Sequence, residues 1–227
     1  MTVWEGEKKY QIALSLIEGV GDIVGKQLLV NLGSAKAVFF AKRKELERIH
    51  GIGPILVDAI LSTDVLERAE QELKWIEKQG INHMFYGDKN YPNRLRQCED
   101  APLNLFYKGN INWEHDKFLS IVGTRKATSF GKLFTEKLVK ELAPYNPIIV
   151  SGLAHGIDVA AHKAALKYGL KTIAVFAHGL DKVYPSAHAT ITKTIINQGC
   201  LLTDYKSKTK ALPQHFVSRN RIVAGLS

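Results

Sequence analysis

The second half of the chain alternates short apolar runs with helical patterns. Residues 118–122 are apolar and rich in β-branched side chains, which predicts a strand that ends at Gly123. Residues 147–150 predict a second strand. Between them, apolar residues with helical spacing predict a helix with Leu133, Phe134, Leu138 and Leu142 along one face. A strand, a crossover helix and another strand form the parallel unit of a doubly wound sheet.

The same alternation continues to the end of the sequence. Residues 172–177 and 199–203 predict two further buried strands, and residues 187–198 a helix between them. Asp158 is placed to cap a helix over residues 159–166. We therefore expect an α/β fold, with an extended Rossmann-like parallel sheet over residues 118–227.

Residues 1–80 predict an all-helical domain that precedes the sheet. Gly19-Val20-Gly21 and Gly51-Ile52-Gly53 each separate two short helical patterns. Glycine permits the tight turn, the middle residue packs inward, and the first N–H groups of the next helix face outward. Two such elements predict paired helix-hairpin-helix motifs (a SAM-like domain), which can bind duplex DNA, dock a protein or serve only as turns.

Residues 81–117 consist of short apolar runs separated by proline and glycine, unlike the helical patterns before them. They predict a linker and edge segment that packs on the second domain. Tyr91-Pro92, Ala101-Pro102 and Lys108-Gly109 interrupt it, and residues 104–107 predict an edge strand. The last residues stop within a helical pattern, without a cap or a polar tail. This predicts a chain that is truncated at its C-terminus.

Composition favours a polyanionic partner. The formal net charge of the 227 residues is +9, and 45% of them are hydrophobic. These values suit a globular protein that binds nucleic acid, or less well an anionic membrane surface. No apolar run reaches the length of a membrane span and no secretory signal is present, so we expect a cytoplasmic protein. Cys98 and Cys200 are isolated, as in a reducing compartment.

An anion site is expected where the first two strands of the sheet end. Gly123, Thr124 and Arg125 follow the first strand, and Ser151 and Gly152 end the second. Parallel strands bind ligands at their carboxyl ends, glycine allows close approach, and arginine offers two N–H donors to a phosphate. The histidines show no zinc spacing with cysteine, so we expect no metal.

Arg219, Asn220 and Arg221 are interpreted as the start of a helix. Two arginines at a helix start oppose the helix dipole, and a bound anion would compensate that repulsion. Tyr184 and Phe216 are candidates for stacking on bases. The sequence therefore predicts a phosphate-binding groove with aromatic side chains.

Several segments in order resemble the DNA-processing protein A family (DprA, also called Smf). The resemblance extends over nearly the whole chain, and its most specific segment covers residues 151–158. The other matching elements are Ala161-His162, Gly179-Leu180-Asp181, Tyr184-Pro185 and residues 219–225. The resemblance implies a non-enzymatic protein without a cofactor, which binds single-stranded DNA and loads the RecA recombinase in natural transformation.

The resemblance also implies roles for individual residues. It implies DNA contacts at Gly123-Thr124-Arg125 and Arg219-Asn220-Arg221, and it places Gly156 beside them. Many members have a lysine directly after the Tyr-Pro pair, where this chain has Ser186. Lys182 or His188 would then replace that lysine. Members form dimers through strands beyond this helix, so a homodimer would depend on a part of the fold that is mostly missing here.

Two alternatives concern the ligand of the sheet. A nucleotide-processing enzyme, similar to phosphoribohydrolases, would bind a phosphate at the same edge. However, the chain has no Gly-Gly-x-Gly-Thr run followed by a glutamate. A dinucleotide-binding protein would need Gly-x-Gly-x-x-Gly, and Thr124-Arg125 places bulk where the second glycine belongs. Single-stranded DNA is therefore the ligand that the sequence favours.

Overall fold

A computed structural model describes residues 3–62, 64–115 and 117–227, with side chains from residue 6 onward. The chain divides into two units. The helical unit runs to Gly80 and includes Glu99–Asn104, and the sheet unit comprises Ile81–Cys98 and Leu105–Ser227. No helix within the described ranges is both long enough and apolar enough to span a bilayer.

The helical unit contains both predicted glycine turns. Gly19 and Gly51 have φ angles of 82° and 81°, which favour glycine. Val20 and Ile52 are each 6% exposed, so both middle residues pack inward. The helices of this unit are α1 (Val3–Leu14), α2 (Asp22–Leu32), α3 (Ala35–Phe40), α4 (Arg43–Leu46), α5 (Pro54–Leu61) and α6 (Val65–Lys78).

Glu99–Asn104 packs with the helical unit, which the sequence did not reveal. The Leu103 backbone N–H donates to the Asp22 carboxylate at 2.8 Å. The Leu103 side chain fills the space that a Cβ would occupy at Gly25. Asp22 lies in the first turn of α2, where a carboxylate interacts favourably with the positive end of the helix dipole.

The sheet unit contains a mixed six-stranded sheet in the order β1-β2-β6-β5-β4-β3. Strands β3, β4, β5 and β6 run parallel to one another, and β2 is antiparallel to β6. The strands are β1 (Asn82–Phe85), β2 (Asn104–Gly109), β3 (Phe118–Ser120), β4 (Ile148–Ser151), β5 (Thr172–Val175) and β6 (Cys200–Thr203). The helices are α7 (Asn93–Arg96), α8 (Ser129–Leu142), α9 (Ile157–Lys167), α10 (Ala189–Gln198) and α11 (Pro213–Gly225).

Helices cover both faces of this sheet. On one face, Val150, Ile173 and Leu202 pack with Ile222 and Val223 of α11. The other face packs against α8, α9 and α10 in two smaller clusters. Alternate strand residues face opposite layers, which explains why strands β4 to β6 are apolar throughout.

Several predicted boundaries were wrong. Residues 104–107 do not form an edge strand, because β2 lies between β1 and β6. Strand β3 ends at Ser120 instead of at residue 122, and Val122 is 62% exposed. The predicted helix is present as α8, but its apolar face is not fully covered, since Leu133 and Phe134 are 65% and 58% exposed. Thr135 and Val139 are the buried residues of that helix.

The start of α11 is a further correction that bears on the site. This helix begins at Pro213, not at Arg219, so Arg219 and Arg221 lie within it. Proline suits the first position of a helix because it has no N–H to satisfy. Contrary to the prediction from the sequence, these two arginines therefore do not oppose the dipole at a helix start.

Candidate nucleic-acid interface

The carboxyl ends of β3, β4 and β5 meet at one edge of the sheet beside α11. A groove of about 340 Å³ lies there, which we call the strand-end groove. It combines exposed cationic and aromatic groups with loop backbone. Its lining residues are Val122, Gly123, Arg125, Ala154, Asp158, Tyr184, Ala211, Pro213, Phe216, Val217, Arg219 and Asn220.

Glycines allow the loops after β3 and β4 to pack directly on each other. Gly156 has a φ of 86° and a ψ of −123°, and a Cβ there would overlap the carbonyl of Thr124. The Ile157 N–H donates to the same carbonyl at 3.2 Å. A Cβ at Gly123 would overlap the Ile157 side chain. This packing fixes the backbone that presents Arg125.

Asp158 accepts hydrogen bonds from the backbone of the loops after β3 and β4. Helix α9 begins at Ile157 with Gly156 as its N-cap, so Asp158 is not the capping residue that the sequence predicted. Its carboxylate accepts the Gly123 N–H at 3.4 Å. Burial raises the pKa of Asp158, while Arg219 and backbone N–H groups oppose that rise. The carboxylate therefore acts as an acceptor that holds loop backbone in place.

Arg219 is a buried support of the groove. It is 4% exposed, and its Nη1 donates to the carbonyl oxygens of Gly152, at 2.8 Å, and of Val175. A Cβ at Gly152 would overlap the guanidinium, so glycine is needed there for packing. Burial lowers the pKa of Arg219, and the nearby Asp158 opposes this shift. We expect Arg219 to shape the groove through the loop after β4.

Arg125 is the exposed cation of the groove. Its guanidinium lies 5.3 Å from the ring centre of Phe216, and the Phe216 and Tyr184 rings are 5.6 Å apart. Tyr184 is 52% exposed. No carboxylate pairs with Arg125 within the part of the chain that the structure describes. A free guanidinium beside two aromatic rings can bind a phosphate while a base stacks alongside.

Two other predicted site residues lie in this region with accessible polar groups. Asn220 is exposed, and its side-chain oxygen accepts from the Arg219 Nε at 3.2 Å. Thr124 is exposed, and its hydroxyl accepts the Lys126 backbone N–H at 3.2 Å. Both still have hydrogen-bonding capacity for a ligand.

The remaining predicted residues are engaged elsewhere or lie outside the groove lining. The buried Ser151 hydroxyl donates to the Ile121 carbonyl at 2.6 Å. The buried His188 donates from Nδ1 to the Leu153 carbonyl at 2.8 Å. Arg221 pairs with Asp204 at 2.7 Å. Lys182 is exposed in the loop after β5 but is not part of the lining.

The sequence did not predict that Asp158 holds the loop after β3 in place. That role depends on the burial of its carboxylate next to the Gly123 N–H. Nor did the sequence predict the position of Val217, which is 75% exposed on α11 and lines the groove. Placing Val217 on this helix would have required the correct start of α11 at Pro213. In the described ranges, no three His, Cys, Asp or Glu side chains form a group that could bind a metal ion.

The family model of DNA recombination-mediator protein A matches residues 82–227 of this chain. Protein Smf from Synechocystis sp. is 31% identical over 225 residues, which cover 97% of this chain and 56% of that protein. The chain spans about half the length of the curated relatives that it matches.

Solved structures are similar as well. DNA processing protein A from Streptococcus pneumoniae has a TM-score of 0.76 at 31% identity, over 96% of this chain and 75% of that one. DNA processing protein A from Helicobacter pylori has a TM-score of 0.59 at 30% identity, over 65% of this chain and 66% of that one. The Helicobacter structure describes the single-stranded DNA binding mode of that protein.

Proposed function

Since the chain belongs to the DNA recombination-mediator protein A family, we propose that it binds single-stranded DNA in the strand-end groove. The observation that carries this proposal is Arg125, an exposed guanidinium without a carboxylate partner in the described ranges, beside Phe216 and Tyr184. The single-stranded DNA binding described for the Helicobacter pylori relative supports the choice of ligand.

In this proposal, Arg125 and loop N–H groups hold phosphates while bases stack on Phe216 and Tyr184. Stacking tolerates every base because each one has a π face, and phosphate contacts do not read sequence. Binding is therefore independent of sequence and weakens as salt rises. The net charge of +9 adds a long-range attraction to the strand.

We further propose that the protein acts on bound DNA without catalysing a reaction. Bound DNA would be protected and then passed to the RecA recombinase, in the cytoplasm and during natural transformation. The name of the matching family, a recombination mediator, supports a link to recombination. A homodimer would place two grooves on one strand and raise the avidity of binding.

Fluorescence anisotropy with a single-stranded oligonucleotide and its duplex, across a salt series, tests the proposal. We expect tighter binding of the single strand. Arg125→Ala should raise Kd by about ten- to a hundredfold, as for other charged hydrogen bonds. It should also lower the salt slope by about 0.7. Lys171→Ala removes an exposed charge that lies before β5, at the opposite end of the strands, and should change neither value.

Two results would contradict the proposal. Preference for the duplex, with Arg125→Ala unchanged, would move DNA binding to the hairpins at Gly19 and Gly51. Tight binding of a mononucleotide together with weak binding of the oligonucleotide would favour a nucleotide-processing enzyme.

A further inference from the structure

A second groove lies between helices α8 and α9, outside the strand-end groove. Its volume is about 540 Å³. We call it the interhelix groove. Basic side chains surround its rim and small apolar side chains form its floor. The lining residues are Arg125, Lys126, Ala127, Lys132, Leu133, Glu136, His155, Gly156, Val159, Ala160, Lys163, Ala164 and Lys167.

The rim has an excess of positive charge. Lys126, Lys132 and Lys163 are exposed, and none of them pairs with a carboxylate in the described part of the chain. Glu136 is already neutralised, since Lys167 Nζ lies 2.6 Å from its carboxylate and the Tyr168 hydroxyl 3.2 Å. The hydrogen bond from Lys167 keeps the pKa of Glu136 below its usual value. These three ammonium groups, together with Arg125, therefore remain to attract an anion.

The floor can accommodate a flat ring. Ala160 and Ala164 are one helical turn apart on α9, and Val159 lies beside them. Leu133, which is 65% exposed, faces them from α8. Small and aliphatic side chains leave space that a nucleobase can fill. A base bound there would cover Leu133 and remove its side chain from water.

Arg125 connects the two grooves because it lines both. A strand whose phosphate rests on Arg125 can continue into the interhelix groove without leaving the protein surface. Along α9, this groove runs from Val159 to Lys167, which corresponds to about 12 Å of helix. At about 3.4 Å per phosphate along one strand, that length suits about three or four phosphates.

We propose that the interhelix groove is a second subsite for the same single strand. Lys126, Lys132 and Lys163 hold its phosphates, and a base lies on the floor formed by Val159, Ala160 and Ala164. This inference rests on the proposed binding of single-stranded DNA at Arg125. It adds a length requirement, since only a strand that reaches beyond Arg125 gains the additional contacts.

The test measures affinity against oligothymidylate length, over roughly 4 to 16 nucleotides, the range of single-strand binding sites. For the unchanged chain, Kd should fall as the oligonucleotide grows long enough to fill both grooves. In the double variant Lys132→Glu and Lys163→Glu, we expect the short oligonucleotide to bind as before. The longer ones should bind about five- to thirtyfold more weakly. Their salt slope should fall by about 1.4.

The matched control is Lys171→Glu with Lys193→Glu. These lysines are exposed, lie outside both groove linings, and change the net charge by the same amount. The control should keep the full length dependence. If both double variants lose affinity equally, or if the groove variant keeps the length dependence, the subsite is excluded even though DNA binds. If the unchanged chain binds no oligonucleotide at low salt, the proposed function itself fails.

Discussion

Replacing Gly156 by alanine tests whether loop packing positions Arg125. Gly156 has a φ of 86° and a ψ of −123°, a region that is unfavourable for residues with a side chain. A Cβ there would overlap the carbonyl of Thr124, the residue before Arg125. The variant must therefore strain its backbone and push the loop after β3 away.

The magnitude follows from two contributions. Backbone strain of this kind costs about 1–3 kcal/mol. Movement of the Thr124 carbonyl also weakens the 3.2 Å hydrogen bond from the Ile157 N–H, which is worth about 1 kcal/mol. Together they predict a loss of about 2–4 kcal/mol. For a unit of this size, that lowers Tm by roughly 10 °C. Kd for single-stranded DNA should rise because Arg125 is displaced.

Gly169→Ala is the matched control, measured by the same thermal melts and the same anisotropy titration. Gly169 also has a positive φ, 74°, but no atom lies within 4 Å of its added Cβ. Its strain alone should cost about 1 kcal/mol, with DNA binding unchanged. Equal stability and equal affinity of the two variants would refute the argument that Gly156 positions Arg125.

Three further predictions concern single side chains. Phe216→Ala should weaken single-strand binding about five- to a hundredfold through lost stacking, while alanine at the exposed Tyr145 should not, as anisotropy would show. Arg219→Ala should lower the free energy of unfolding by about 3–5 kcal/mol in urea titrations, because it leaves Asp158 buried without its cation; Arg125→Ala should leave it nearly unchanged. Burial lowers the pKa of His162 from 6.5 to about 3, so its contribution to stability is complete above pH 6.5 and is lost as the pH falls towards 3. Stability measured over that window should decrease by up to about 1.4 kcal/mol per pH unit, and His162→Gln should flatten the decrease.

Local sequence patterns predicted the parts of the fold that local rules determine. Residues 172–175 are apolar on both faces because helices cover both faces of the sheet, and this composition predicts a buried parallel strand. Gly19 and Gly51 were predicted as tight turns, and both have positive φ. The α/β class and the resemblance to DprA were both confirmed.

Features that depend on distant contacts could not be predicted in this way. Leu133 and Phe134 follow helical spacing, yet the helix turns Thr135 and Val139 inward. Helical spacing identifies a row of apolar side chains on α8, but it does not determine which face of the helix will pack on the sheet. Arginine is a residue type that often contacts DNA phosphates, and Arg219 was predicted to do so. It is buried, however, because Gly152, 67 positions earlier, leaves space for its guanidinium. Such packing is visible only in three dimensions.

Photo-cross-linking of an oligothymidylate to the chain, with the attached peptides identified by mass spectrometry, tests the central claim most directly. We expect cross-links at Tyr184 and Phe216, the aromatic pair beside Arg125. Arg125→Ala should reduce both. Cross-links concentrated at the hairpin turns around Gly19 and Gly51, and none at Tyr184 or Phe216, would contradict it.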